Sequence, residues 1–133
     1  MNTYQYTTRV RYAETDQMGV VYHGNYAVYF EMGRVEWLRN LGVSYKKMEE
    51  TGIMLPVVSL TMNYKKPARY DELLTVITKF KSQTSVKIEF DYEIHNEKGE
   101  LLTTGYSLLV FVDMKTGKPT LPPDYITEKL QNL

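Results

Sequence analysis

Residues 25–41 read NYAVYFEMGRVEWLRNL, and this stretch decides the predicted fold. Its apolar residues recur at steps of three and four, which predicts one buried stripe of a helix; the stripe consists of Tyr26, Phe30, Gly33, Trp37 and Leu41. Gly42 follows as a left-handed cap. We assign the aromatic stripe to the core. Because glycine costs a helix about 1 kcal/mol relative to alanine, we expect Gly33 to permit close approach to a sheet.

The sequence outside this helix is dominated by two-residue alternation of apolar and polar side chains, which predicts strands. The predicted strands cover residues 4–12, 58–65, 74–80, 86–94 and 101–112. A short helical turn is expected over residues 44–51, reverse turns at residues 82–84 and 95–99, and a short helix after Pro122 and Pro123. Strand, long helix and four strands together predict an α+β architecture in which an antiparallel sheet wraps around one helix. The sheet edges need covering, and a two-fold dimer would cover one of them.

Length and composition alone exclude several classes of function. A chain of 133 residues is expected to form a single domain, residues 1–133. Sixteen basic and sixteen acidic residues give zero net charge, so we expect no nucleic acid partner. The absence of cysteine excludes disulfides, thiolate metal sites and a cysteine nucleophile, and favours a cytoplasmic location. We expect no signal peptide, no membrane span, no metal and no cofactor.

The segment between the first strand and the long helix carries the candidate chemistry: residues 9–26 read RVRYAETDQMGVVYHGNY. Asp16 lies a short loop before the helix, and Gly19 lets that loop turn. The first amides of a helix lack partners within it, so a carboxylate here lies near ready-made hydrogen-bond donors. We expect the amides of His23 and Gly24 to be those donors. From spacing alone, an Asp in this position is more often a turn or capping residue than a catalyst.

The pattern Thr-Asp-x-x-Gly-Val-Val-x-His-x-x-Tyr at residues 15–26 resembles the signature of the 4-hydroxybenzoyl-CoA thioesterase family, in its bacterial acyl-CoA thioesterase branch. The resemblance extends through residues 29–31 and 64–72. It implies a hotdog fold and an acyl group carried by coenzyme A or by acyl carrier protein as the substrate. It also implies a homodimer or homotetramer in which the substrate lies in a cleft between protomers. It also implies that Asp16 is the catalytic carboxylate and that the backbone N–H of His23 stabilises the oxyanion.

Several choices stay open at the level of sequence. Asp16 could attack the thioester as a nucleophile or activate a water as a general base. The His23 imidazole could orient Asp16 or simply pack. Two other functions are compatible with the fold: a dehydratase acting on 3-hydroxyacyl thioesters, and a non-catalytic acyl-CoA-binding module.

Candidate substrate-binding residues are chosen mainly by charge. The phosphates of coenzyme A require cations, which Lys65, Lys66, Arg69 and Lys81 could supply, although such clusters are also ordinary solvated surface. Tyr22 and Ser59 complete the predicted substrate-binding set. Glu31 and Arg34 are three apart on the helix and are expected to form a structural pair. His95 is expected to be solvated in its turn.

Overall fold

The computed structural model describes residues 2–133. Its elements in chain order are β1 (Thr3–Arg9), a 3-10 turn (Tyr12–Glu14), α1 (Asn25–Leu41), α2 (Tyr45–Glu50), β2 (Ile53–Met54), β3 (Val57–Tyr64), β4 (Leu73–Thr84), β5 (Lys87–His95), β6 (Leu101–Val110), β7 (Val112–Asp113) and α3 (Asp124–Gln131). The long helix has the predicted bounds, and Gly42 ends it with φ of 95°. Ser44 caps α2 by accepting a hydrogen bond from the Lys47 amide.

Five strands form one antiparallel sheet in the order β1-β4-β5-β6-β3. A second, two-stranded sheet of β2 and β7 was not predicted. Strands β1 and β3 are the two edges of the large sheet, and α1 packs across it. The predicted α+β architecture, a sheet wrapped around one long helix, is therefore confirmed.

The core lies between α1 and the concave face of the sheet. Tyr26, Phe30 and Trp37 are at most 3% exposed, as the helical stripe predicted. Phe30 stacks on Tyr92 of β5 with ring centroids 4.5 Å apart. A Cβ atom on Gly33 would lie 2.5 Å from the Thr78 hydroxyl oxygen, so helix and sheet approach as closely here as glycine allows.

Three sequence-based boundaries were wrong. The first strand ends at Arg9, because residues 12–14 turn into a 3-10 helix. The turn expected at residues 82–84 belongs to β4, which passes through a bulge between Phe80 and Ser82 and turns only at Ser85, where φ is 53°. The last long strand ends at Val110, and β7 then leaves the large sheet to pair with β2.

Two side-chain predictions also need correction. Glu31 and Arg34 form no ion pair, since Arg34 turns inward and donates to the Tyr92 hydroxyl at 3.0 Å. His95 is not simply solvated, because its Nε2 lies 2.8 Å from a Glu93 carboxylate oxygen. Within residues 2–133, no helix is long and apolar enough to cross a membrane.

Candidate active site

The loop that carries Asp16 is a tight turn closed by its own backbone. The Asp16 amide donates to the Val20 carbonyl at 2.9 Å, and the Gly19 amide donates to the Asp16 carbonyl at 3.0 Å. Asp16 Oδ1 accepts the Met18 amide at 2.9 Å, the turn role that the sequence left open. Gly19 has φ of 79°, a conformation that favours glycine. Asp16 Oδ2 accepts no hydrogen bond from any group in residues 2–133.

Glu14 fixes this loop to the start of α1. Its carboxylate accepts the Arg11 amide at 2.9 Å, the Arg11 guanidinium at 2.8 and 3.1 Å, and the Tyr29 hydroxyl at 2.9 Å. Its carbonyl accepts the Tyr22 amide at 2.9 Å and the Asn25 side-chain amide at 2.8 Å. One residue therefore sets the distance between the Asp16 turn and the helix N-terminus.

The charges of this network follow from its surroundings. Burial raises the pKa of Glu14, but the hydrogen bonds from Arg11 and Tyr29 outweigh it and hold that pKa below its ordinary value. Burial and the bond to Glu14 raise the pKa of Tyr29, so its hydroxyl stays protonated and donates. The Glu14 carboxylate is thus buried and ionised, and the donors of Arg11 and Tyr29 stabilise its charge.

Two backbone amides just before α1, those of His23 and Gly24, have no acceptor within residues 2–133. The Asn25 amide donates to the Tyr22 carbonyl at 2.9 Å and the Tyr26 amide to the His23 carbonyl at 3.4 Å. The amides of His23 and Gly24 donate to no acceptor in the described chain. Tyr22 lies close over Gly24, where a Cβ atom would be 2.7 Å from the tyrosine ring. Free amides at the positive end of a helix dipole can stabilise a developing negative charge.

A cavity of about 270 Å³ joins the Asp16 turn to the helix N-terminus. Its lining residues are Asp16, Met18, Val20, Val21, His23, Tyr26, Tyr64, Lys65, Lys66 and Pro67. Tyr64 packs against Tyr26 with ring centroids 5.3 Å apart and donates to the His23 carbonyl at 3.2 Å. The cavity combines apolar and aromatic walls with one carboxylate and the two lysines Lys65 and Lys66, the mixture of an apolar surface and a few polar groups that is typical of a small-molecule site.

The structure brings four of the predicted site residues to this cavity: Asp16, His23, Lys65 and Lys66. The imidazole of His23 packs against the Tyr22 ring at a tilt of 43°, with centroids 4.4 Å apart, and forms no hydrogen bond to Asp16. Lys66 also pairs with Glu100 at 2.7 Å.

The other predicted residues lie beside the cavity or away from it. Gly24 and Tyr22 flank the cavity. Arg69 forms an isolated antiparallel β-bridge with Val20, a residue of the cavity wall. Ser59 lies on the exposed edge strand β3 and is not part of the lining. Lys81 also lies elsewhere, with its Nζ 5.0 Å from the centroid of the Tyr106 ring, because β4 continues past the predicted turn.

Sequence analysis missed Glu14 and Tyr64 as parts of the site. The spacing of Arg11 and Glu14, three apart just before the motif, was the available signal for the first. Tyr64 begins the second stretch of the resemblance, residues 64–72, but nothing in that stretch showed that its ring lies against the helix N-terminus. In the part of the chain that is described, no group of three or more His, Cys, Asp or Glu side chains is arranged to hold a metal ion.

Comparison with known proteins adds independent findings. The family model described as the thioesterase-like superfamily matches residues 10–130. The protein named "Putative acyl-CoA thioesterase YneP" of Bacillus subtilis is 44% identical over 110 residues, 83% of this chain and 80% of its own length. "Acyl-CoA thioester hydrolase YbgC" of Escherichia coli O6:H1 is 34% identical over 131 residues, 96% of this chain and 98% of its own length.

Among solved structures, a DHNA-CoA thioesterase from Staphylococcus aureus superposes with a TM-score of 0.93 at 42% identity. The match covers all of this chain and 93% of that one. The predicted hotdog fold is therefore confirmed.

Proposed function

Because this chain belongs to the thioesterase-like superfamily and is a thioester hydrolase, we propose that it hydrolyses acyl-CoA to a free acid and coenzyme A. In this proposal Asp16 supplies the reacting carboxylate, and the amides of His23 and Gly24 form the oxyanion hole. The observation that carries it is the cavity that joins Asp16 to the residues just before α1. Within residues 2–133, Asp16 Oδ2 accepts no hydrogen bond and the amides of His23 and Gly24 have no acceptor. The names of the relatives support the acyl-CoA substrate.

The reaction needs little beyond these groups. Negative charge develops on the thioester oxygen as its carbon is attacked, and the helix amides stabilise that charge. The leaving thiolate needs little help from a general acid, since an ordinary thiol has a pKa of about 8.5. One carboxylate and two amides are therefore sufficient for a thioester, whereas an amide bond would also require a proton donor.

Two routes for Asp16 differ in whether an acyl-enzyme forms. As a nucleophile, Asp16 attacks the carbonyl carbon and expels the CoA thiolate, and water then hydrolyses the mixed anhydride. As a general base, Asp16 takes a proton from a water that attacks the thioester directly. In a single turnover in water enriched in oxygen-18, an unlabelled first acid identifies the nucleophilic route with water attacking the aspartyl carbon of the anhydride. A labelled acid fits the general-base route and also attack of water at the acyl carbon of the anhydride, and mass spectrometry of the rapidly quenched enzyme then separates these two by the presence of an acylated Asp16.

The binding of coenzyme A is assigned to the exposed lysines of the cavity wall. Lys65 and Lys66 follow the aromatic wall residue Tyr64 and are exposed, so both can reach phosphate groups outside the cavity. An acyl carrier protein, whose prosthetic group has the same reactive end, is the second candidate substrate.

The active form is a homodimer, or a tetramer of two such dimers, joined through β3. This strand pairs only with β6 in residues 2–133, and its apolar side chains are exposed: Val58 is 61% and Leu60 37% accessible. An unpaired, apolar strand edge is a template for pairing with another chain. Pairing of two β3 strands would place the second copy beside the Asp16 cavity, which Tyr64 of β3 lines.

An assay of CoA thiol release across acyl-CoA substrates from acetyl to palmitoyl, with benzoyl-CoA included, tests this function. We expect free thiol and free acid in equal amounts from at least one substrate. An enoyl thioester formed from a 3-hydroxyacyl-CoA would identify the dehydratase alternative instead. Saturable binding without thiol release from any substrate would identify the non-catalytic alternative.

A further inference from the structure

The hydroxyl of Tyr64 bonds to the backbone just before α1. It donates to the His23 carbonyl at 3.2 Å, and its other neighbour is the Met62 sulfur at 3.7 Å. A hydroxyl has one proton to donate and a thioether is a weak acceptor, so the proton goes to the carbonyl. Because Tyr64 belongs to β3, this bond ties an edge strand of the sheet to the start of the helix, 41 residues away in sequence.

Packing holds the ring of Tyr64 independently of its hydroxyl. The ring lies against that of Tyr26, with centroids 5.3 Å apart, and 6.4 Å from the His23 imidazole. Tyr26 is 3% exposed, and its own hydroxyl accepts the Ala68 amide at 3.4 Å. Tyr64 is half-exposed, but its ring rests on a buried neighbour that is itself fixed. Tyr64→Phe would therefore keep the ring contacts and lose only the bond to the carbonyl.

The His23 carbonyl belongs to the same peptide unit as the Gly24 amide. A trans peptide is planar and its C=O and N–H point in opposite directions, so a bond that holds the oxygen also fixes the direction of the N–H. A hydrogen bond at the oxygen also polarises the unit and makes its N–H a stronger donor. Within residues 2–133, the Gly24 amide has no acceptor of its own.

Gly24 makes this external support important. Its backbone is helical, with φ of −65° and ψ of −20°, but glycine reaches other conformations more readily than any other residue. A larger residue cannot replace it without a shift, since a Cβ atom would lie 2.7 Å from the Tyr22 ring. No side chain caps this end of α1. The orientation of the peptide unit therefore depends on the bonds to the His23 carbonyl, which come from Tyr64 and, at 3.4 Å, from the Tyr26 amide.

We propose that Tyr64 is a positioning residue for the oxyanion hole: its hydroxyl holds the His23–Gly24 peptide unit so that the Gly24 amide faces the thioester oxygen. The inference rests on the proposed acyl-CoA thioesterase function. Negative charge on that oxygen grows toward the transition state, so a better aligned and more polarised amide speeds the reaction more than it tightens substrate binding. The distance of 3.2 Å is long for a hydroxyl, and bonds in catalytic sites often shorten once substrate is bound.

Steady-state kinetics of Tyr64→Phe, with the best acyl-CoA from the thiol-release assay, are the first test. We expect kcat to fall about three- to tenfold, the effect of one neutral hydrogen bond, while KM changes by less than about twofold. Tyr45→Phe is the matched control, because the Tyr45 hydroxyl also bonds to backbone, at Leu55, but away from the cavity. It should keep the kcat and KM of the intact enzyme.

Two kinetic results would overturn the inference. Equal kcat values for Tyr64→Phe and Tyr45→Phe would show that only the ring of Tyr64 matters. A raised KM with unchanged kcat in Tyr64→Phe would show that the hydroxyl serves substrate binding and not the oxyanion hole. Melting temperatures of both variants are measured alongside, and the kinetics are taken well below them.

Infrared spectroscopy of a bound, unreactive ketone separates positioning from general structural support. The probe is the analogue of hexanoyl-CoA in which a methylene replaces the thioester sulfur, with carbon-13 at the carbonyl. Hydrogen bonds to a carbonyl oxygen lower its stretching frequency, so the band should lie higher in Tyr64→Phe than in the intact protein. Tyr45→Phe should leave the band in place. An unmoved band in Tyr64→Phe would overturn the inference even if kcat falls, because the hydroxyl would then act elsewhere.

The ketone also keeps this inference distinct from the proposed function, since its band does not depend on hydrolysis. A band that moves in Tyr64→Phe, without thiol release from any acyl-CoA by the intact protein, would support the positioning role and contradict the thioesterase. Thiol release at the same kcat by the intact protein and Tyr64→Phe, with an unmoved band, would overturn the positioning role and leave the thioesterase intact.

Discussion

At the scale of single residues, the two oxygens of Asp16 are used differently. Oδ1 accepts the Met18 amide and holds the turn, whereas Oδ2 accepts no hydrogen bond in the described chain. The structural and chemical interpretations of this residue are therefore compatible, although the sequence presented them as alternatives. Spacing could not show this, because it does not say which oxygen the turn occupies.

Glu14 determines where the helix amides lie relative to Asp16, so its charge should matter for catalysis. We expect Glu14→Gln to lower kcat about tenfold with a smaller change in KM, because it weakens charge-assisted hydrogen bonds that place the Tyr22–Asn25 turn. Steady-state kinetics with one acyl-CoA measures both constants. Glu36→Gln is the matched control, since it also breaks a pair with an arginine three residues away. Equal kinetics for the two variants would contradict a positioning role.

The same carboxylate should make stability depend on pH in a defined direction. The folded pKa of Glu14 lies below its ordinary value of 4.5, so the ionised group stabilises the fold above that value and loses its effect as pH falls through the folded pKa. Melting temperatures of the intact protein and Glu14→Gln should therefore differ by a constant amount near neutrality. Below about pH 5 the difference should narrow. A difference that stays constant down to pH 3 would contradict this assignment.

At the scale of elements, the contact between α1 and β4 depends on Gly33. We expect Gly33→Ala to destabilise the fold by about 1–3 kcal/mol, since the added methyl would overlap Thr78 and Val76. The overlap must therefore exceed the gain of about 1 kcal/mol in helix propensity for this net loss to appear. Denaturant unfolding measures the change, with Asn40→Ala on the exposed face of α1 as control. A Gly33→Ala protein as stable as the control would contradict this expectation, because it would mean that β4 can move away from α1 and make room for the methyl group.

The elements also show what sequence can predict. The helix from Asn25 to Leu41 was predicted to the residue because its apolar stripe and its capping glycine are local signals. The end of β4 was not, because a bulge between Phe80 and Ser82 lets the strand continue through polar residues that are typical of turns. The Glu31–Arg34 pair failed for a tertiary reason: Tyr92, 58 residues from Arg34 in sequence, offers a buried partner.

At the scale of the whole molecule, the exposed edge β3 could not be recognised from alternation alone. Val58 and Leu60 alternate with polar residues as in a half-buried strand, yet both are exposed in the single chain. The pattern is the same whether the covering surface comes from the chain itself or from another copy. The resemblance carried by the motif likewise implies a thioester hydrolase, but not which residues of the proposed second copy would complete its cleft.

A charge placed on this edge should separate the protomers. We expect the intact protein to sediment at twice or four times the 15.6 kDa mass of the chain. Val58→Lys should sediment at a lower multiple and lose most thioester hydrolysis, because lysine on an edge strand disfavours pairing. Gln5→Lys on the opposite edge β1 is the control and should leave mass and activity unchanged. A Val58→Lys protein with full mass and activity would show that β3 is not the interface.

The measurement that tests the central claim most directly is the rate of CoA thiol release by Asp16→Asn. Asparagine can keep the Oδ1 bond to the Met18 amide, so the turn and the melting temperature should be retained while the rate falls by about 10²–10⁴-fold. Asp113→Asn is the control, because Asp113 accepts the amide of Lys115 in the same type of turn, away from the cavity. It should hydrolyse at the rate of the intact enzyme. Asp16→Asn hydrolysing as fast as Asp113→Asn would contradict the role assigned to Asp16.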